Sequence, residues 1–330
     1  MQRRFAHTAA RAGRAYRLRQ TVDPGRLSDY RQRMDTEQVR CVRSFNRTVS
    51  QRIGALKDHF LDRHRPLGEA RLLYEIGPAG AEVRDLRARL ELDSGYVSRL
   101  LRSLERQRLV RAQAAANDGR VRRVRLTRAG LREVRELDRR ANVLAKSVLA
   151  PLSVPQRDRL IAAMAEIERL MRASAVQITA EAPDSADARL CLEQYFRELA
   201  GRFKTGFDPA KSIPANPDEL TPPAGVFVVA RLGGQPIGCG ALKVKDRTIG
   251  EVKRMWVAAD ARGLGVGRRI LETLETRARD FGVSTLRLET NRTLKEAQAL
   301  YRKCGYLEVE PFNDEPYAHH WFEKARIGRS

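Results

Sequence analysis

The segment from Glu251 to Phe281 constrains this chain most. Glu251-Val-Lys-Arg-Met-Trp-Val257 reads as a strand, and Ile270, Leu271, Leu274, Ala278 and Phe281 then fall on one face at helical spacing. Between them lie Gly263, Gly265 and Gly267, where a strand gives way to a helix N-terminus. The first N–H groups of a helix have no partner within it, and the helix dipole makes that end positive. Glycines there carry no Cβ, so a diphosphate can lie close against those N–H groups. Arg262 and Arg268 add positive charge. The segment predicts a phosphate cradle. A P-loop would need Gly-Lys-Ser/Thr, whereas Gly267 is followed by Arg268-Arg269. A dinucleotide site wants an acidic residue about twenty positions further on, and the strand Thr285-Leu-Arg-Leu-Glu289 leaves that spacing open.

A third use of such a cradle fits best. Arg262-Gly-Leu-Gly265-Val-Gly267 resembles the Arg/Gln-x-x-Gly-x-Gly/Ala pyrophosphate loop of GNAT acetyltransferases. Downstream, Leu286-Arg-Leu-Glu-Thr-Asn291 and Ala297-Gln-Ala-Leu-Tyr301-Arg-Lys-Cys-Gly305-Tyr306 resemble that family's next strand, asparagine and tyrosine-bearing helix. The resemblance runs from about Ile178 to Lys324 and implies an α/β fold with a mixed, mostly antiparallel sheet. It implies acetyl-CoA as cofactor, held by Arg262, Gly263, Leu264, Gly265, Val266, Gly267 and Arg268, with Asn291 touching CoA or acceptor. It also implies backbone contacts from Met255, Trp256 and Val257 on a splayed fourth strand. Tyr301 would be the general acid toward the CoA sulfur, and Glu251 the base for the amine, directly or through water. Packing of Tyr301 with Ala297, and pairing of Glu251 with Lys253 or Arg254, are the plainer readings of the same residues. In this family the region corresponding to Gly206–Gly225 lines the acceptor site.

The charge of +22 is unevenly placed. Residues 1–175 hold 39 Lys/Arg against 20 Asp/Glu; residues 176–330 hold 24 against 21. Arginine dominates the first half, and its planar fork suits phosphates and guanine edges. A genome that favours arginine codons explains arginine over lysine but not the difference between halves. The asymmetry points to nucleic acid as partner of the first half.

The first 33 residues carry nine arginines and little apolar periodicity. They read as a basic, disordered extension: either an arm on DNA or sequence upstream of a start at Met34. Val39, Val42, Phe45, Val49, Ile53, Leu56 and Phe60 predict one long amphipathic helix. A short helix at 69–76 follows, then another around Val83, Leu86 and Leu90. Asp93 is a good N-cap for a helix that turns Val97, Leu100, Leu101 and Leu104 inward. Ser94, Gly95, Tyr96, Ser98, Arg99 and Arg102 are left facing out. That is a helix-turn-helix whose second helix enters the major groove. Leu109–Gln113 and Val121–Leu126 alternate as strands around Asn117-Asp-Gly119, a hairpin turn.

This order resembles the winged helix of MarR-type regulators, over about Asp35 to Ser174. Asp118-Gly-Arg120 … Leu126-Thr127 is similar to that family's wing signature, in which Asp118 would brace the wing and Arg120 reach the minor groove. Thr127 caps a helix to about Leu149, and Leu160, Met164, Ile167 and Met171 mark a last one. In this family the first and last helices pair between two subunits, which implies a homodimer on double-stranded DNA.

The expected protein is therefore two-domain: a mainly α winged helix-turn-helix with a β-hairpin wing at 34–174, then a GNAT domain at 175–330. A small amine is the expected acceptor. A regulator whose second domain only senses CoA, and an enzyme whose winged helix only dimerises, share these features. Four scattered cysteines and the lack of a long apolar run suggest a reduced cytoplasmic protein without a membrane span. No metal-ligand spacing occurs. His319 and His320, being adjacent on a strand, point to opposite faces.

Overall fold

The computed structural model describes residues 36–56, 59–115, 118–204 and 206–325, with the backbone alone at 114, 115 and 118–121. The basic extension 1–33 and Asn117 lie outside the described residues.

The first half is built on helices α1 (Thr36–Arg52), α2 (Leu67–Ile76), α3 (Val83–Leu90), α4 (Ser94–Arg106), α5 (Arg128–Leu149) and α6 (Val154–Ser174). Strands β1 (Ala81–Glu82), β2 (Val110–Ala115) and β3 (Asp118–Leu126) form a small sheet in the order β1-β3-β2. Asp93 caps α4 by accepting from Tyr96 N at 2.9 Å, and Thr127 caps α5 by accepting from Gly130 N at 3.1 Å. Leu72, Leu73, Leu86, Val97, Leu101, Leu104 and Val124 close one core beneath these elements. The single long first helix expected as far as Phe60 is not what forms. It ends at Arg52, because Gly54 takes φ +70 and turns the chain, and Phe60–Asp62 form a separate single turn. The apolar spacing ran on across a glycine that here takes a turn conformation. Neither α1 nor α6 contains a buried residue, and Val39, Val42, Phe45, Ile161, Met164 and Met171 are exposed.

The second half is a seven-stranded sheet in the order β4-β5-β6-β7-β8-β10-β9. Its strands are β4 (Gln177–Glu181), β5 (Gly225–Leu232), β6 (Gln235–Val244), β7 (Ile249–Val257), β8 (Thr285–Thr290), β9 (Leu307–Val309) and β10 (His320–Ala325). All pair antiparallel except β7 with β8. Helices α7 (Ala186–Arg202), α8 (Val266–Asp280) and α9 (Lys295–Lys303) complete it. Alternation along β5 serves both faces. Val226, Val228 and Ala230 join Ile270, Leu271 and Leu274 of α8, while Phe227 and Val229 join Ala188 and Cys191 of α7.

The β7–β8 pairing is short. It holds Ile249, Gly250 and Glu251 against Thr285, Leu286 and Arg287, and beyond that the ladder stops although both strands continue. The strands part there, and the opening is where the site lies.

The halves touch among the described residues. Arg169 of α6 donates from Nη1 to the Gly263 carbonyl at 2.8 Å, and Arg269 of α8 donates to the carbonyls of Ala173 and Val176 at 2.7 Å each. The β5–β6 turn also abuts α3, so closely that a Cβ on Gly234 would lie 2.6 Å from Ala88 Cβ.

Candidate active site and nucleic-acid interface

Where β7 and β8 part, two hollows meet. A cleft runs along Met255, Trp256 and Val257, past Arg262, Gly263, Gly265, Val266, Gly267 and Arg268, to α9. A cavity on the other side is walled by residues from α7, β7, the end of β8 and the 207–213 and 315–318 segments. The two share Tyr195, Leu199, Met255, Leu294, Ala297 and Tyr301, so they are continuous around Met255 and Tyr301.

The cleft has the properties of an anion cradle. Gly265 is the N-cap of α8 at φ +75, and no side chain caps that helix. A Cβ added to Gly263 or Gly265 would meet nothing within 4 Å, so both glycines border open space. Leu264 is buried at 7% exposure and anchors the loop from beneath rather than lining the cleft. Arg262 lines the cleft, but its Nη2 is held by Glu198 of α7 at 2.6 and 2.7 Å, and Arg268 pairs along its own helix with Glu272 at 2.9 Å. The strongest donors left for a diphosphate are therefore backbone N–H groups at the start of α8. Replacing Gly265 with valine puts a β-branched side chain at positive φ and a Cβ into the cradle. Expected by titration calorimetry is a loss of at least about 30-fold in CoA affinity, with the fold destabilised by only about 1–2 kcal/mol. Unchanged affinity would remove the cradle from Gly265.

Tyr301 of α9 is 5% exposed, and its ring packs near Tyr306 and Phe322, with centroids 6.1 and 5.9 Å away. Its hydroxyl has no hydrogen-bond partner among the described residues, and the residue borders both hollows. Burial pushes its pKa well up, so it holds its proton at neutral pH. Burial likewise raises the neighbouring Tyr195 to about 12.

Glu251 does not line the cavity. It is 6% exposed, 3.5 Å from Lys253 Nζ and 3.7 Å from Lys245 Nζ, and its Oε2 is buried without a hydrogen-bond partner among the described residues. Lys253 also reaches Glu289 at 2.5 Å, and it is Glu289 that faces the cavity. Asn291 lies in the cavity wall rather than in the cleft. Its Oδ1 accepts from Thr293 N and Oγ1, and its Nδ2 donates to the Tyr317 carbonyl. It builds the turn that closes β8. Glu315 is also occupied, accepting from Ser212 Oγ at 2.9 Å and Ile213 N at 2.7 Å, which ties the 207–213 segment over the cavity. His320 pairs with Glu308 at 2.6 Å, and no metal-holding cluster occurs among the described residues.

Sequence reasoning missed the aromatic wall of Phe203, Phe207 and Tyr317, and it missed Glu289. The aromatics come from separate segments with no shared spacing. Glu289 stood in view as the end of a strand, but only its ion pair with Lys253 marks it.

In the first half, Ser94, Gly95, Tyr96, Arg99 and Arg102 are exposed along α4, and Ser98 is half-buried. Arg99 stacks over Tyr96 at 5.7 Å, and Arg102 Nε donates to the Ser98 carbonyl at 3.2 Å. Neither has an ion pair among the described residues. Arg111, Arg122 and Arg125 extend the exposed positive surface onto the hairpin. Asp118 and Arg120 fall on β3, with side chains outside the described residues.

A winged helix ahead of a split sheet with a glycine cradle defines a regulator-type domain joined to a CoA-dependent acyltransferase. The acetyltransferase (GNAT) family matches residues 192–306, and the MarR family matches residues 64–121. The uncharacterized N-acetyltransferase YsnE of Bacillus subtilis is 34% identical over 113 residues, a match that spans 33% of this chain and 75% of that one. The chain belongs to the GNAT acetyltransferase family and carries a MarR-family domain in front of it. The IAA acetyltransferase of Azospirillum brasilense is 47% identical over 92 residues, covering 28% of this chain and only 59% of that protein. A putative acyl-CoA N-acyltransferase structure from Klebsiella pneumoniae is 26% identical, with 46% of this chain and 97% of that one covered at a TM-score of 0.37. Among the described residues no helix is long and apolar enough to cross a membrane.

Proposed function

We propose that this protein is a homodimeric DNA-binding regulator and an N-acetyltransferase in one chain, moving acetyl from acetyl-CoA to the amine of a small molecule. The units divide at 34–174 and 175–330. The carrying observation is the meeting of an uncapped helix N-terminus and a partnerless tyrosine hydroxyl in one continuous hollow. The cofactor supplies an activated thioester, and the chain's residues do the rest. Backbone N–H groups of Val266, Gly267 and Arg268 hold the diphosphate, with Arg262 and Arg268 at its edge. The Met255–Val257 backbone aligns the pantetheine arm and polarises the acetyl carbonyl. With the thioester bound, Tyr301 would give its proton to the thiolate that leaves as the acetyl group passes to the amine nitrogen. The amine's proton passes through water toward Glu251, which stands behind Lys253 and outside the cavity wall. Lys253 holds Glu251 and Glu289 in place, and the negative charge of Glu289 at the wall draws in a cationic amine.

In the first half, α4 enters the major groove with Ser94, Gly95, Tyr96, Ser98, Arg99 and Arg102, while Asp118 braces the wing and Arg120 reaches the minor groove. The exposed apolar residues of α1 and α6 pair across a two-fold axis. This reading requires the cytoplasm, where acetyl-CoA and the chromosome meet.

Thiol release from acetyl-CoA across an amine panel, run beside a gel shift with the protein's own promoter region, tests both halves. Calorimetric binding of acetyl-CoA without turnover would leave only a sensor. Absence of any binding would sink the cradle. Wild-type DNA affinity is expected to fall steeply with salt. Arg99→Ala with Arg102→Ala should lower the log–log slope by about 2, because each arginine neutralises one phosphate. An unchanged slope would take these arginines off the DNA.

A further inference from the structure

β7 carries a bulge. Its register with β6 breaks between the Cys239–Trp256 and Ala241–Lys253 pairs, and within the break Arg254 takes φ +58. An unbroken strand would turn alternate residues away from the cavity. Here Lys253, Arg254 and Met255 all line it. A left-handed arginine is an uncommon backbone state, and such states concentrate where side-chain direction serves a ligand.

The cavity's charged groups differ in what they are bound to. Lys253 is held by Glu289 and Glu251, and Glu315 by Ser212 and Ile213. Arg254 is half-buried with its guanidinium 5.1 Å from the Phe196 ring centroid, and among the described residues that guanidinium makes neither a hydrogen bond nor an ion pair. A guanidinium against a ring keeps its N–H edge free, and that edge matches a carboxylate in two parallel bonds. Elsewhere on the wall, Phe203, Phe207 and Tyr317 cluster with centroids 4.8 to 5.8 Å apart. Among the described residues the wall thus offers an unspent cation at Arg254, the Lys253-paired carboxylate of Glu289 and an aromatic surface.

We propose that the acceptor is a free amino acid with an aromatic or large apolar side chain. Arg254 takes its α-carboxylate, Phe203, Phe207 and Tyr317 take its side chain, and the amine lies between Glu289 and Tyr301. This rests on the N-acetyltransferase reading and names the substrate class. Arg254 determines specificity and takes no part in bond making.

The test is calorimetric binding to the CoA-loaded full chain of L-phenylalanine, L-leucine and phenethylamine, which lacks the carboxylate. Product formation from acetyl-CoA is followed in parallel. In the wild type, L-phenylalanine should bind at least about 30-fold tighter than phenethylamine. Arg254→Ala should abolish that ratio while leaving phenethylamine and acetyl-CoA binding unchanged, and Arg254→Lys should restore only part of it because an ammonium lacks the fork. Equal wild-type binding of amine and amino acid overturns the proposal. So does equal weakening of both ligands in Arg254→Ala, which would make the arginine structural, and so does failure of both amino acids to bind. Discriminating binding without acetylated product would leave the carboxylate site standing and sink the enzymatic reading instead.

Discussion

Tyr301→Phe is expected to lower kcat by about 10²–10³-fold while leaving acetyl-CoA affinity and folding stability nearly unchanged. The hydroxyl has no partner among the described residues, so its removal orphans no buried group, and the ring keeps its packing with Tyr306 and Phe322. What disappears is a proton source. Burial raises the phenol's pKa, so protonated tyrosine persists across the physiological range, and the alkaline fall in rate from its deprotonation should not appear below the ordinary tyrosine value of about 10. Single-turnover kinetics with a proven acceptor reads the chemical step directly. A variant within about threefold of wild type would assign the proton to water and leave Tyr301 as packing.

Glu133→Ala should destabilise the winged-helix half by about 3–5 kcal/mol. Glu133 of α5 is 8% exposed and receives Arg63 Nε at 3.0 Å, Arg63 Nη2 at 2.5 Å and Arg65 Nε at 3.0 Å. Arg65, itself 8% exposed, also reaches Glu69 and Gln107, so the network ties the approach to α2, the end of α4 and α5 into one unit. Without Glu133 the Arg65 charge stays buried with only half its compensation. The hydrogen bond from Arg63 leads in holding the Glu133 pKa below the usual carboxylate range, and the charges of Arg65 and Arg63 assist against desolvation. A depressed folded pKa means that the stabilisation is complete above the unfolded value of about 4.3 and is lost as pH falls through the folded one. The difference between wild type and variant should therefore shrink in acid. Both tryptophans, Trp256 and Trp321, lie on the second sheet or its edge. Their fluorescence follows that half, while far-ultraviolet dichroism is dominated by the helices of the first. A shift in the helical transition with an unmoved tryptophan transition is the expected pattern. Coincident shifts would mean that the halves unfold as one.

What could be read from the sequence was what is local. The cradle is a strand, a loop and a helix in one run, and the helix-turn-helix with its hairpin is another, so periodicity and caps locate both. The acceptor cavity is assembled from Phe203, Phe207, Glu289 and Tyr317, which only the tertiary fold brings together. The pairing of Glu251 with Lys253 could be read along one strand, but partners distant in the chain were hidden. Nothing near Arg262 in the sequence announces Glu198, and the placing of Glu251 behind Lys253 follows from the sheet, not from the strand. The error at Gly54 had a different origin. Apolar spacing reports what could be buried, but a turn needs only one residue able to take positive φ.

The hydrogen bond from Arg169 to the Gly263 carbonyl gives the loop two owners. Peptide units in the loop donate toward the cleft, while one of them accepts from a helix of the preceding half. Arg269, on the first turn of α8, bonds carbonyls at Ala173 and Val176, on either side of the proposed junction. A fragment started at residue 175 would strip the loop of one donor and α8 of one acceptor. Such a fragment is not a faithful miniature of the enzyme, and its cofactor affinity should not be equated with that of the whole chain. By thermodynamic reciprocity, whatever shift in the pose of α6 alters the grip on CoA must be favoured or opposed by CoA to the same degree.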